Sequence, residues 1–223
     1  MSAGDTKATI LDAAETLFAD HGFAATSLRQ LTAHAGVNLA AVNYHFGTKD
    51  ELARAVLRRR IEPVNAERHR RLDALPEPAT VEQVVRAFVE PVLRAGEILP
   101  RENRRGRAAD WCRLFGRINV EQPEFLRAFL REQFGDVARR FVGVLRQVTT
   151  GLDEATIWWR LHFMVGGMAH TLQNAELIAS VSSGGCDATN TDAIVEQLVA
   201  YCTAGFAPPA ASSAQPPKRG VRR

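Results

Sequence analysis

The chain has 223 residues, 46% of them hydrophobic and 24% charged, a balance that supplies a packed core and excludes a disordered chain or a membrane-spanning one. Its three cysteines, Cys112, Cys186 and Cys202, are odd in number, far apart and without a CxxC pair, which argues against a disulfide framework or a zinc site. The net charge of +3 is carried by the end of the chain, APPAASSAQPPKRGVRR, where Lys218, Arg219, Arg222 and Arg223 follow a Pro-, Ala- and Ser-rich stretch that cannot build a core. Residues 207–223 therefore read as a disordered basic tail. The opening, MSAGDTKATILDAAE, has acidic residues inside its first apolar stretch and lacks the apolar block of a signal peptide, so a cytoplasmic location with no membrane partner is expected.

Helical periodicity runs through nearly the whole chain, and an all-α fold of about nine helices is expected. Ile10, Ala14, Leu17 and Phe18 form the first stripe, ended by Gly22. Ser27 and Gln30 form a capping box before a short second helix with Leu28, Leu31 and Ala35 on one face, and Gly36 ends it. Asn38 is the expected N-cap of a third helix reaching about Phe46, and Thr48 with Glu51 forms a second capping box that opens the fourth. The fourth helix, about 49–72, carries Leu52, Ala55 and Val56 inward, becomes strongly basic in LRRRIEPVNAERHRR, and stops at LPEPAT. After that break Thr80 caps a helix containing Val81, Val84, Val85, Phe88 and Val92, with an irregularity expected at Pro91. Further helices are expected around ADWCRLFGRI, from Pro123 to about Val148, from Asp153 to about Ser180, and from Thr191 to Gly205. This organisation gives an N-terminal three-helix domain over 1–52, a helical domain over 53–206 joined to it by helix four, and the tail.

The segment VNLAAVNYHFGTKDEL is too polar for a core and too patterned for a linker. On a helical wheel Leu39, Val42 and Phe46 share one side and should pack on Leu28, Leu31 and Ala35, making a helix-turn-helix around AGVN. The opposite face then exposes Ala40, Ala41 and Tyr44, flanked by Asn43 and His45. Small alanines let a helix approach base edges and offer methyls to thymine, and an Asn side chain can pair in two places with adenine. Tyr44, His45 and Lys49 can donate to phosphates, and the backbone N–H groups at Thr48 and Lys49 can take one more.

Residues 9–52, TILDAAETLFADHGFAATSLRQLTAHAGVNLAAVNYHFGTKDEL, resemble the DNA-binding domain of the TetR family of transcriptional regulators: the A..LF...G of helix one, the T-S before helix two, the AGV turn and the Y.HF..K..L ending all occur at matching spacing. The resemblance implies a ligand-binding and dimerisation domain behind the reader. It also implies Thr26, Ser27, Tyr44, His45 and Lys49 on phosphates, and Arg29, Asn38, Leu39, Ala40, Ala41 and Asn43 near bases. The chain departs from the commoner pattern at Asn43, where many relatives have an aromatic residue, and at Asn38, where many have Ser.

RAADWCRLFGRINVEQPEFLRAFLREQF and WWRLHFMVGGMAHTL more weakly resemble the TetR subgroup typified by the fatty-acid-responsive regulator PsrA, which implies a fatty acid or acyl-CoA as ligand. Phe88, Trp111, Phe115, Phe129, Phe141, Phe163, Met164 and Met168 supply apolar surface for a cavity between helices, and His170 with Asn174, one turn apart, could orient a polar headgroup. A single three-helix reader touches too few phosphates and bases to be specific, so a homodimer on a palindromic operator is expected. The family pattern puts its seam on the last two helices, at Gly166, Gly167, Ile194, Leu198 and Tyr201. No cofactor or metal ion is expected. An acyl-processing enzyme built from His162, His170 and Glu176 lacks any nucleophile-base spacing, and a helical binding module without DNA regulation is the other alternative.

Overall fold

The computed structural model describes residues 3–98, 114 and 124–208. Among these the chain is helical, with no strand: eight helices of at least eight residues and one single turn. The helix expected around ADWCRLFGRI falls outside the described residues except for Leu114, which is helical and buried. The basic tail lies outside them from residue 209 onward.

The first three helices form where their caps and stripes predict. In α1 (Ala3–His21) the buried face is Ile10, Ala14, Leu17 and Phe18. The chain turns at Gly22, whose φ of +88° places it in the left-handed region that favours glycine. In α2 (Leu28–Ala35) the capping box is complete: Gln30 N donates to Ser27 Oγ at 3.2 Å, and Ser27 N donates to Gln30 Oε1 at 2.8 Å. In α3 (Leu39–Phe46) Asn38 Oδ1 accepts from Ala41 N at 2.8 Å, so Asn38 is the N-cap. Leu31 and Val42 meet in the core, with Leu28, Ala41 and Phe46 packed at its edge.

Leu39 is a correction to the helical wheel. It is 49% exposed, because it is the first residue of α3 and overhangs the end of the core, and Ala41 packs against the core instead. The second capping box is half formed. Thr48 Oγ1 accepts from Glu51 N at 3.1 Å, but the Glu51 carboxylate pairs with Arg54.

From Thr48 the chain enters α4 (Lys49–Asp73), about 37 Å long at 1.5 Å per residue, which passes from the reader into the second domain and packs against α1, α5 and α7. Its basic run is turned largely inward. Arg59 donates to Asp12 at 2.6 Å and to Glu15 at 2.5 Å, and Arg60 Nε donates to Glu15 at 2.6 Å, with Glu15 and Arg60 both buried. Desolvated arginines therefore bind helix four to helix one.

Beyond helix four, the described residues of the second domain include α5 (Val81–Leu93), α6 (Ala95–Ile98), α7 (Glu124–Val148), α8 (Glu154–Val181) and α9 (Thr191–Gly205). The irregularity expected at Pro91 comes three residues later, at Arg94, where a turn separates α5 from α6. Helix α9 lies along α5, with Arg86 donating to Glu196 at 2.6 and 2.8 Å and Arg94 paired with Asp192. Asn174 breaks α8 with φ of −129°, and its side-chain amide donates to the His170 carbonyl at 3.2 Å. Among the described residues no helix is long and apolar enough to cross a membrane.

Candidate nucleic-acid interface and a buried cavity

The outer face of α3 is built by two constraints, the cap at Asn38 and the burial of Val42. Together they leave Ala40, Asn43 and Tyr44 outward, with Tyr44 83% exposed, an unusual position for a large aromatic ring in a protomer alone. The Tyr44 ring stands edge-on to His45 at 5.1 Å between centroids, which leaves its hydroxyl projecting. Ser27 and Arg29 are exposed at the start of α2. Lys49 Nζ reaches back to the Ala24 carbonyl at 3.2 Å, which ties the start of α4 to the α1–α2 turn.

Two residues of the expected DNA set are engaged elsewhere. Thr26 is buried, and its hydroxyl donates to the carbonyls of Gly22 at 2.7 Å and Leu17 at 3.2 Å. It pins the turn after α1 and has no hydroxyl to offer a phosphate. Asn38 is exposed, but its Oδ1 is committed to the cap, so pairing in two places with a base would cost the helix its N-terminal hydrogen bond. Residues 1–52 carry Lys7, Arg29 and Lys49 against Asp5, Asp12, Glu15, Asp20, Asp50 and Glu51. The reader is thus not basic overall, and its anion contacts depend on where each donor sits.

The second candidate site is a cavity of about 220 Å³ lined, among the described residues, by α4, α5, α7 and α8, its walls including Ile61, Phe88, Leu130, Phe134, Leu161 and Met168. One charged side chain enters it. Arg68 is 1% exposed; its Nε donates to the Phe88 carbonyl at 2.9 Å, its guanidinium carbon lies 4.0 Å from the Phe88 ring centroid, and Nη1 reaches Asn65 Oδ1 at 3.3 Å. Among the described residues Nη2 meets only the Met168 sulfur, at 3.8 Å. Burial pushes this guanidinium down to about 9, so it remains charged at neutral pH. Sequence reasoning missed Arg68. The available signal was its place in the stripe Leu57, Ile61, Val64, Arg68 and Leu72, where an arginine occupies an apolar position.

Residues 10–56 match the bacterial regulatory proteins of the tetR family, and residues 86–205, more than half of the chain, match the tetracyclin repressor-like C-terminal domain. The chain belongs to the TetR family. Over 53 residues it is 53% identical to the HTH-type transcriptional repressor Rv3405c of Mycobacterium tuberculosis, a match covering 24% of this chain and 28% of that protein's length. The structure of the fatty acid degradation regulator FadR from Bacillus halodurans has a similar fold, with a TM-score of 0.64, 15% identity, and coverage of 92% of this chain and 98% of that one. Salmonella enterica GusR gives a TM-score of 0.61 at 17% identity, covering 91% and 95%. Rv3405c is a transcriptional repressor by name, and the two solved structures share the fold of this TetR-family chain.

Within this TetR-family chain the expected ligand residues divide. Phe88 and Met168 line the cavity. Phe141 stands behind Phe88, edge to face at 5.0 Å, and Phe129 is core beneath Arg58, whose guanidinium carbon lies 5.8 Å from its ring. Met164 is buried away from the cavity, beside Cys202 at the α8–α9 junction. Phe163 is 64% exposed and His170 is exposed, because both fall on the outer face of α8. Asn174 pairs with that histidine at 3.2 Å instead of reaching the interior. Trp111 and Phe115 lie outside the described residues.

The outer face of α8 carries Trp159, Phe163, Leu177, Ile178 and Val181, and Tyr201 of α9 is 75% exposed beside it. Of the expected seam residues, Gly166 and Tyr201 are open and Ile194 is half-buried. Leu198 is a correction: it is buried within the protomer, directed at Gly167, where an added Cβ would lie 3.7 Å from its Cδ1. That separation is ordinary van der Waals contact, so Gly167 faces Leu198 inside the chain without a packing demand for glycine. Burial raises the Cys202 thiol to about 11, whereas Cys186 is exposed and Cys112 lies outside the described residues.

Proposed function

We propose that the protein is a dimeric, ligand-released repressor of a palindromic operator. The observation that carries this is the outer face of α3: Leu39, Ala40, Asn43 and Tyr44 stand exposed on a helix that Asn38 caps and Val42 anchors, which suits a major groove. Ser27, Tyr44, His45 and Lys49 are then the phosphate donors, and Arg29, Leu39, Ala40 and Asn43 meet bases, with Ala41 at the margin. The exposed aromatic and aliphatic side chains on the outer face of α8, with Tyr201, support a two-fold seam, because apolar surface of this kind is costly to leave in water.

Helix α4 supports the coupling. Its Arg59 and Arg60 hold Asp12 and Glu15 of the reader, while Arg68, about 12 Å further along, lies in the cavity. Helix α7 offers a second route, since Phe125 meets the Phe23 ring at 6.4 Å and Phe134 lines the cavity. A ligand that shifts α4 moves the reader with it, and a coupling of about 1–3 kcal/mol changes operator affinity by roughly 5- to 150-fold. A fatty acid or acyl-CoA is the ligand class that the PsrA-like resemblance implies. The cavity is smaller than the roughly 300–1,000 Å³ of most drug-sized sites, which favours a short acyl chain.

Anisotropy titrations on DNA flanking its own gene, together with an unbiased operator selection, test the reading. Specific binding that weakens with salt is expected; absence of such binding in both experiments refutes it.

A further inference from the structure

Arg68 is a full charge in an apolar cavity, and among the described residues each of its partners is neutral: a carbonyl, an amide oxygen, a thioether and an aromatic face. Among the described residues, the carboxylates nearest to it along α4 and α5 serve other arginines. Glu67, the preceding residue, accepts from Arg70 and Arg71, Glu90 of α5 accepts from Arg71 and Arg94, and Asp73 pairs with Arg140. Burying an arginine without a counter-charge is destabilising, and an interior that needed only packing would be better served by an apolar side chain. Two of its nitrogens, Nη1 and Nη2, meet only a long hydrogen bond and a sulfur, so the edge that normally grips a carboxylate in two places faces weak acceptors.

We propose that the cavity selects a compact monocarboxylic acid, whose carboxylate ion-pairs with the Nη1–Nη2 edge of Arg68 while its apolar body lies among Ile61, Leu130, Phe134 and Leu161. This inference rests on the cavity being the ligand site. A neutral ligand leaves the buried charge uncompensated, and a phosphate dianion brings one charge more than the single guanidinium neutralises. Only a monoanion closes the balance. The volume of about 220 Å³ points to a small acid, and the aromatic face of Phe88, 4.0 Å from the guanidinium carbon, helps hold the guanidinium in position.

Calorimetry on the full chain without DNA tests this with hexanoate, octanoate, benzoate and phenylacetate against the alcohols of matched skeleton, and with inorganic phosphate. At least one acid is expected to bind about tenfold or more tightly than its alcohol, as expected for a charge-assisted hydrogen bond. Arg68→Met should abolish that preference, so that acid and alcohol bind alike. Asn65→Asp places an internal carboxylate at the Nη1 position and should likewise cost the acids about tenfold, in a chain that keeps Arg68. Equal binding of acid and alcohol, phosphate as the preferred ligand, or an acid preference that survives both substitutions overturns the proposal but leaves an apolar ligand site standing. If no acid and no alcohol binds, the proposal and the ligand-site reading fall together. Operator binding is not involved in any of these outcomes.

Discussion

Replacing Glu15 with Gln should loosen the DNA reader from the rest of the molecule. Glu15 is 2% exposed and accepts from Arg59 Nη2 at 2.5 Å and Arg60 Nε at 2.6 Å, with Arg60 itself only 3% exposed. Gln keeps the shape and one oxygen acceptor but deletes the charge that offsets two desolvated guanidinium groups. Breaking one partner of a buried pair costs about 3–5 kcal/mol. Arg59 retains Asp12 at 2.6 Å, so the lower end of that range, about 3 kcal/mol, is expected here. In a chain of this size such a loss lowers Tm by about 6–12 °C. Urea and thermal denaturation of the single variants Glu15→Gln and Arg60→Met, and of the combined Glu15→Met and Arg60→Met, measure it. The double variant should recover much of the loss, because apolar side chains of similar volume replace the pair without leaving a stranded charge. A Glu15→Gln variant within about 0.5 kcal/mol of the parent, the range of an ordinary surface substitution, would falsify the claim that these arginines clamp the reader to helix four.

Asn38→Ala should cost about 1 kcal/mol of stability through the lost cap and weaken binding to all DNA sequences alike, whereas Asn43→Ala should leave stability unchanged and alter base preference in an operator selection; the reverse pattern refutes the assignment. Phe163→Glu and Tyr201→Glu, both at exposed positions of the α8–α9 face, should convert a dimer to a monomer in light scattering and leave the helical spectrum unchanged; persistence of the dimer in both variants places the seam elsewhere. The Glu67 carboxyl is held at about 2, below its usual 4.5, first by the hydrogen bonds from Arg70 and then by Arg71, against an opposing effect of burial. Because the folded-state value is the lower one, this stabilisation is fully present above about pH 4.5 and is lost as pH falls through about 2. Arg70 is solvent-exposed, so Glu67→Gln should cost only about 1 kcal/mol at pH 7, and urea midpoints of parent and variant should converge towards pH 2; a pH-independent difference contradicts the mechanism.

The N-terminal reader was legible in the sequence because its determinants are local. A cap is set by a side chain and a backbone N–H three residues away, as at Ser27, Asn38 and Thr48, and a turn by one glycine such as Gly36 with its φ of +65°. The same spacing that buries Leu31 and Val42 leaves Asn43 and Tyr44 outside, so the candidate DNA face follows almost directly from residue order. Where local rules met a helix end they failed, and Leu39 on the overhanging first turn of α3 is the example.

The second domain was legible only as helices. Periodicity marks a residue as apolar or polar but does not say which neighbour it meets, so Phe163 and Phe141 look alike in sequence although one is 64% exposed and the other is fully buried. The basic run of helix four shows the same limit for charge. Read along the chain it is only a strongly basic run; in the folded protein Arg59 and Arg60 are closed by carboxylates more than forty residues earlier, and Arg68 faces a cavity lined by four helices. The sequence by itself determined the all-α fold, the caps and the outward face of α3, since each depends on contacts within a few residues. Only the tertiary structure decided which arginines are paired, which aromatic residues line the cavity and which face of α8 stays open, because burial and ion pairing depend on distances between helices that residue spacing does not encode.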